Sequence, residues 1–300
     1  MNALDIAVVI PAYRAERFLA ETLSSVVAQT LAPAEVVVVD DGSPDATAEI
    51  AATFTARGVR VLRQANAGPA AARNHGIRAT SAPWIAFVDA DDLWAPEKLA
   101  RQAAEITNAA DAEIVACCTD AWLLRDGRRT TRRLASHVPP ARFALTTLLA
   151  GNPVVASSVV VRRDALVAAG MFDEDPVLVA TEDYDLWLRL IDHGVFAYVD
   201  EPLVDYRVHA ASLSSPSRFV GGLDRIFAKL AATHEDDLVV EAAGRRRRAQ
   251  ARLDAAYASI RAGDGATARQ WLRRARELCA SRRAVARLWL RSWVPFRGRD

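Results

Sequence analysis

The chain has 300 residues, 51% hydrophobic and 25% charged, with a formal net charge of +1. That size is enough for one large domain or a domain with an appendage, and the balance is that of a folded, soluble protein. No run approaches the roughly 18 apolar residues of a membrane span, and Cys117, Cys118 and Cys279 form neither a disulfide framework nor a metal-binding spacing. The first five residues lack the basic region of a signal peptide, so a reduced, cytoplasmic protein is expected. The small net charge hides an asymmetry. Residues 245–300 hold sixteen arginines against four acids, or +12, which leaves −11 for the remainder. Nucleic acid is therefore not an expected partner of the acidic part.

Strand and helix patterns alternate through the first half. Residues 7–10 are a short apolar run closed by Pro11, the pattern of a buried strand. Phe18, Leu19, Thr22, Leu23, Val26 and Val27 recur at helical spacing. Residues 36–39, four valines, predict a buried parallel strand. Ser43-Pro44-Asp45 reads as a helix start, with a capping hydroxyl, a proline at the first position and an acid in the first turn. Strands at 59–62, 84–88 and 114–118 and helices at 69–77 and 96–106 follow. Beyond Asp120 the pattern changes. Arg125-Asp126-Gly127-Arg128 reads as a hairpin tip, and strands are expected at 157–161, 195–199 and 202–208. Residues 181–191 predict a helix with Leu186, Trp187, Leu190 and Ile191 inward. From Leu223 on the pattern is helical, broken at Gly263-Asp264-Gly265, with a boundary in the serine, proline and glycine cluster at 212–222. Two domains are expected, 1–215 and 216–300.

This alternation predicts an α/β fold, a mostly parallel sheet with helices on both faces. Such sheets bind ligands beyond the carboxyl ends of their strands, and each candidate strand end is polar. Asp89, Asp91 and Asp92 place three carboxylates in four residues, which repel one another unless a cation sits among them. A hard divalent ion suits such oxygens. A solvated acidic turn is the plain alternative. Asp41, after the valine strand, can accept from a nucleobase N–H or a ribose hydroxyl, or serve an Asx-turn with Gly42. Arg73, one turn into a helix that follows Gly68, suits a diphosphate clamp at a helix N-terminus or is a surface arginine. Glu182 and Asp183 open a helix, where its dipole favours carboxylates. An ionised carboxylate in a cleft can take a proton from a hydroxyl. Ordinary helix-start acids look the same.

Five blocks in order resemble the family 2 glycosyltransferases with the GT-A fold: Val8-Val9-Ile10-Pro11-Ala12-Tyr13, Val39-Asp40-Asp41-Gly42-Ser43, Asn66 through Gly76, Phe87-Val88-Asp89-Ala90-Asp91-Asp92, and Thr181 through Arg189. The resemblance runs from about Ala7 to His209. It implies a GT-A nucleotide-diphospho-sugar transferase fold, a Rossmann-like mixed sheet flanked by helices, with a C-terminal helical extension beyond it. It implies an inverting transfer of a sugar from a nucleotide-sugar, UDP-linked by default, to an acceptor hydroxyl. By position, Pro11, Ala12 and Tyr13 line the base pocket, Asp41 contacts the base, and Arg73 approaches the base or diphosphate. Asp89 and Asp91 form the DXD motif, with Asp89 near the ribose and Asp91 on a divalent metal, Mn²⁺ or Mg²⁺. Asp183 matches the catalytic base, with Glu182 beside it. Tyr206-Arg207-Val208-His209 resembles a late block whose histidine completes the metal site, which favours Mn²⁺. The Gln-x-x-Arg-Trp motif of processive synthases is absent, so a single-addition enzyme is expected. A saccharide or lipid-linked acceptor in cell-surface polysaccharide or glycoconjugate assembly fits this class. The rival reading is an inactive sugar-nucleotide-binding or scaffold protein.

The region after Leu223 lies outside the resemblance. Tyr257, Ala266, Trp271, Ala275 and Leu278 suggest a helix pair about Gly263-Asp264-Gly265. Near the end, Arg287 and Arg291 interleave with Leu288, Trp289, Leu290, Trp293 and Phe296. That mixture suits an interfacial helix on the anionic inner face of a membrane, or aromatics packed on the protein itself.

Overall fold

The computed structural model describes residues 4–108, 113–136, 138–209, 216–278 and 280–293. Cys279, Phe296 and the 212–215 part of the expected boundary lie outside them. In chain order the elements are β1 (Ile6–Ala12), α1 (Leu19–Val27), β2 (Glu35–Asp40), α2 (Thr47–Ala52), β3 (Val59–Arg63), α3 (Pro69–Ala79), β4 (Trp84–Phe87), β5 (Leu93–Trp94), α4 (Lys98–Asn108), β6 (Ile114–Arg125), β7 (Arg128–Arg132), β8 (Arg142–Phe143), α5 (Leu145–Ala150), β9 (Val160–Arg162), α6 (Arg163–Ala168), α7 (Glu182–Leu190), β10 (Val195–Arg207), α8 (Pro216–Thr233), α9 (Leu238–Arg261), α10 (Gly265–Glu277) and α11 (Arg282–Arg291).

One mixed sheet runs in the order β3-β2-β1-β4-β9-β6-β10-β5, with β7 on β6 and β8 on β10. The pairs β2–β3, β1–β2 and β1–β4 are parallel. β9 runs antiparallel to both β4 and β6, and β10 is parallel to β6. Two reversals restore the direction, so the carboxyl ends of β1, β2, β4, β6 and β10 share one edge. The polar strand ends of the first half and the Tyr206-to-His209 block therefore meet there.

The apolar periods explain the layers. Val8, Ile10 and Val38 pack with Leu19, Leu23 and Val26 on one side, while Val37, Val39 and Ala72 pack on the other. Gly76 is the close-approach point of α3. A Cβ there would meet Val9 Cγ1 at 2.4 Å, with Val39 behind it. Gly76→Ala is expected to destabilise by about 1–3 kcal/mol through overpacking. Denaturant unfolding of the single variant and of Gly76→Ala/Val9→Ala checks this, since the second change should restore part of the loss.

Several elements depart from the sequence pattern. The helix expected at Ser43 begins at Thr47 with no side-chain cap, because the Ser43 hydroxyl accepts from Arg14 N–H instead. β6 continues past Cys118 to Arg125, since β10 pairs with it as far as Leu124. The two strands expected at 195–199 and 202–208 are one strand with bulges at Val199 and Pro202. At 157–161, residues Ala156–Ser158 make a tight turn and the strand starts at Val160. The hairpin tip is as expected, with Asp126 and Gly127 both at positive φ.

The chain divides into two compact units: Met1–Leu148 with Asn152–Glu174 and Asp183–Ala211, and Leu149–Gly151 with Asp175–Glu182 and Ser212–Asp300. The cluster at 216–222 is helix rather than linker. Gly222 is buried in α8, where a Cβ would clash with Thr181 Oγ1 at 2.1 Å. α8 packs on α9 and α9 on α10, as the pattern about Gly263 suggests, although Tyr257 is exposed rather than packed. No helix among the described residues is long and apolar enough to cross a membrane.

Candidate active site

Pro11 and Ala12 are the last residues of β1, and Tyr13 opens the loop after it. Ala12 is buried and Tyr13 is exposed at the edge, with the Arg14 guanidinium 5.4 Å over its ring. Arg14 has positive φ, stabilised by its N–H bond to Ser43. Asp41 N–H donates to Ala12 C=O at 2.8 Å, which joins the β1 and β2 ends.

Asp41 is buried, and its carboxylate organises the segment before α3. Oδ1 accepts from Gln64 Nε2 at 2.8 Å and Ala67 N–H at 2.9 Å, and Oδ2 from Gly68 N–H at 2.8 Å. Gly42, at φ 72°, lets this segment approach, since a Cβ there would lie 2.9 Å from Asn66 N. Of the two oxygens, Oδ2 has the greater remaining capacity to accept a base N–H.

Arg73 is buried rather than on the surface, and its Nη2 pairs with Asp89 Oδ1 at 2.7 Å. Its guanidinium lies 5.2 Å from the Phe172 ring. Asn74 beside it clamps the 172–174 loop, donating to Phe172 C=O and Glu174 and accepting from Phe172 N–H. The surface-arginine alternative is thus excluded by burial at the edge of the sheet. Arg73 faces Asp89, and the Ala67 and Gly68 amides face Asp41.

The three acids after β4 differ in surroundings. Asp89 pairs with Arg73. Asp91 Oδ2 lies 2.7 Å from His209 Nε2. Asp92 is wholly buried, accepting from Ser157 Oγ–H and, at 2.8 Å, from Arg207 N–H. Burial and the neighbouring Asp89 push the Asp91 carboxyl up, against the pull of His209. Burial, then Asp91 and Asp89, push Asp92 well above the carboxylate range. Arg207 fixes the approach of His209. Its Nε donates to Asp91 C=O at 2.7 Å, its Nη2 to Glu21, and its guanidinium lies over Phe18, whose ring also meets His209.

Ser157 lies in no motif of the sequence, and Arg207 belongs to the late block without a role of its own there. The Ser157 hydroxyl also accepts from Asp89 N–H at 3.0 Å, so one serine ties the first and last acids together. Ser157→Ala should lower stability by about 1–3 kcal/mol by leaving buried polar groups short of a partner. Ser157→Thr, which keeps the hydroxyl, should lose less. Thermal denaturation of the pair checks this.

Asp183, half-buried at the second position of α7, accepts from Asn152 Nδ2 at 3.1 Å and from Tyr184 N–H at 2.7 Å. Asn152 too was invisible as a site residue, because its loop carries no pattern. α7 is held by Leu186, Trp187 and Leu190, all buried, with Trp187 edge-on to Phe172 and Phe196. Glu182 is buried and belongs to the second unit.

Among the described residues no three His, Cys, Asp or Glu side chains converge as a ready cation cage. The donors still suit a divalent ion that also takes substrate oxygens. Magnesium-type sites commonly use one or two carboxylates plus phosphate, and Asp91 with His209 provides an adjacent oxygen and nitrogen. Burial first, and neighbouring negative charge second, raise the Asp91 and Asp92 carboxyls, and a cation would relieve the crowding of charge.

The fold and edge define a nucleotide-diphospho-sugar transferase architecture. The sequence profile named Glycosyl transferase family 2 matches residues 7–166, more than half of the chain, and the chain belongs to that family. It is 28% identical over 222 residues to the uncharacterized glycosyltransferase EpsJ of Bacillus subtilis, covering 66% of this chain and 61% of the relative. It is 30% identical over 238 residues to the uncharacterized glycosyltransferase YibD of Escherichia coli, covering 71% and 64%. It is 38% identical over 145 residues to the succinoglycan biosynthesis protein ExoO of Rhizobium meliloti, covering 48% and 40%. The chain thus spans less than two thirds of the length of these relatives. Among solved structures, S. aureus TarS 1–349 in complex with UDP-GlcNAc superposes with a TM-score of 0.67 at 17% identity, over 97% of this chain and 91% of that one. The mannosyltransferase PcManGT of Pyrobaculum calidifontis, in complex with GDP-Man and Mn²⁺, gives 0.61 at 20% identity, over 96% and 79%. The expected fold, a mixed sheet with flanking helices and C-terminal helices after it, is the observed one.

Proposed function

We propose that the chain is a single-addition, inverting glycosyltransferase with a nucleotide-sugar donor, UDP-linked by preference, and a saccharide or lipid-linked acceptor. The observation that carries this reading is the meeting of Arg73 with Asp89 and of His209 with Asp91, each at 2.7 Å, at the carboxyl edge of the sheet. The UDP-GlcNAc complex of TarS supports the donor class, and the name of ExoO supports a role in polysaccharide assembly.

Pro11, Ala12 and Tyr13 bound the base, with Asp41 accepting from it. Asp89 orients the ribose and sugar, held by Arg73. Asp91 and His209 would hold a divalent ion, which when bound draws charge from the departing diphosphate. Asp183 takes the proton of the acceptor hydroxyl. The hydroxyl oxygen forms the new bond to the anomeric carbon as the bond from that carbon to the phosphate oxygen breaks, and the centre inverts. Asn152 and the Tyr184 N–H orient the carboxylate, with Glu182 beside it in sequence. Domains 1–215 and 216–300 divide catalysis from the helical extension.

Donor hydrolysis by the purified chain tests this reading against a binding protein. Slow release of nucleoside diphosphate from one of a panel of nucleotide-sugars, lost in Asp91→Asn, is expected. No release from any donor, with or without Mn²⁺, would contradict it.

A further inference from the structure

The second unit holds nineteen of the 38 basic residues of the chain, and α11 shows how part of this charge is presented. From Gly265 to Arg291 there are eight arginines against one acid, Glu277. Within α11, Ala284, Val285, Leu288 and Trp289 are half-buried and Ser292 just after it is buried. Their spacing of three and four places them on the face packed against α9 and α10. Arg283, Arg287, Leu290 and Arg291 have the same spacing on the other side and are exposed, Leu290 by 72%. Arg283, Arg287 and Arg291 have no carboxylate partner among the described residues.

The end of this helix is fixed. Gly265 at the start of α10 touches it so closely that a Cβ would lie 2.1 Å from Ser292 O. Arg269 Nη1 donates to the same carbonyl at 3.1 Å, and its guanidinium lies 3.9 Å from the Trp293 ring. Trp293 is nevertheless 65% exposed. The tail's aromatics and leucines are therefore divided. Leu288 and Trp289 serve the helical packing, while Leu290 and Trp293 face outward among guanidinium groups.

We infer that the outer face of α11, Arg283, Arg287, Leu290, Arg291 and Trp293, docks on an anionic phospholipid bilayer. Guanidinium groups pair with lipid phosphates by paired, charge-assisted hydrogen bonds. Leucine and tryptophan at the same level enter the boundary between headgroups and acyl chains. A soluble polyanion would satisfy the arginines but would not bury Leu290, and this difference selects the bilayer. The inference adds a surface and a lipid chemistry to the transferase reading, and its test is independent of the donor site.

The test is sedimentation of the full chain with vesicles of phosphatidylcholine alone, and of equal parts phosphatidylcholine and phosphatidylglycerol, at about 0.1 M salt. Binding only to the anionic vesicles is expected. Arg283→Ser/Arg287→Ser/Arg291→Ser should weaken it by about fivefold per arginine, near hundredfold in all. Leu290→Ser/Trp293→Ser, which keeps the charge, should weaken it by about tenfold or more. Unchanged partition of the second variant would make the patch a general polyanion site and overturn the bilayer. Unchanged partition of both variants, or no binding by the wild type, would also overturn the inference. Unaltered melting temperatures confirm that the variants fold. A nucleoside diphosphate shift measured on the same samples shows separately whether the donor site stands.

Discussion

Asp183→Asn is expected to lower kcat by about 10²- to 10⁴-fold, the usual worth of a general base. Affinity for the nucleoside diphosphate should stay within about twofold, because the group acts on the acceptor rather than the donor. The amide keeps the size of the side chain and an oxygen to accept from Tyr184 N–H, but it cannot take a proton. Steady-state kinetics with one donor, beside a thermal melt showing an unchanged fold, makes the comparison. A kcat within threefold of wild type would remove Asp183 from the role of base.

The second large effect concerns stability. Lys98 is wholly buried, its ammonium 2.8 Å from Gln102 Oε1 and 4.0 Å from the Trp94 ring, with no carboxylate bonded to it among the described residues. Burial lowers its pKa to about 7, against roughly 10.4 in an unfolded chain. The sign follows from proton counting. Between those values the unfolded chain holds a proton that the folded protein lacks, so stability rises with pH above 7. Below about 7 both states hold the proton and the full penalty applies, about 4–5 kcal/mol at 1.36 kcal/mol per unit. Lys98→Met fills similar volume without the charge. It should be the more stable protein at pH 7, by less than that penalty because Gln102 loses a partner. Its advantage should shrink by up to about 1.4 kcal/mol per pH unit between pH 7 and 8.5. Above that window the buried thiols oppose the trend, since burial pushes Cys117 up to about 12 and its ionisation favours the unfolded chain. Denaturant unfolding of both proteins at pH 7, 7.5, 8 and 8.5 gives the slopes. Parallel slopes would mean that Lys98 keeps its proton in the fold.

Much of the polar carboxyl edge of the sheet was legible in the sequence because the strands are short and strongly patterned. Four consecutive valines place Asp41 beyond a buried strand, and the apolar run at 84–88 does the same for Asp89. Both acids sit at the carboxyl edge for that reason. The resemblance implied that Asp91 and His209 share one site, and the sheet order explains their direct contact. Two reversals at β9 bring β10 parallel to β4, and no local pattern encodes a pairing between strands so far apart in sequence. The misread details share a cause. Ser43 looks like a helix cap because its local neighbours suit one, yet Arg14 N–H, 29 positions away, takes its oxygen. Asp92 looked like part of a metal cluster, yet Ser157 and Arg207 hold it as a buried tie. The alternative of a surface arginine at Arg73 fails because that side chain is buried against Phe172 and Asp89, beside the 172–174 loop that Asn74 holds. In each case a polar side chain had one local and one distant partner, and packing chose the distant one. The helical extension was legible in content but not in its start, because a serine, proline and glycine run that suggests a linker becomes helix where Gly222 packs on Thr181.

The most direct test of the donor and metal site is a thermal-shift screen of nucleoside diphosphates, with and without Mn²⁺, on the wild type and Asp91→Asn. A ligand that binds only the folded state raises the melting temperature by mass action. One diphosphate should stabilise the wild type only with the metal present, and the substitution should abolish that shift. No shift with any nucleotide under any metal condition, or an equal shift in Asp91→Asn, would contradict the assignment of this edge as the metal-assisted donor site.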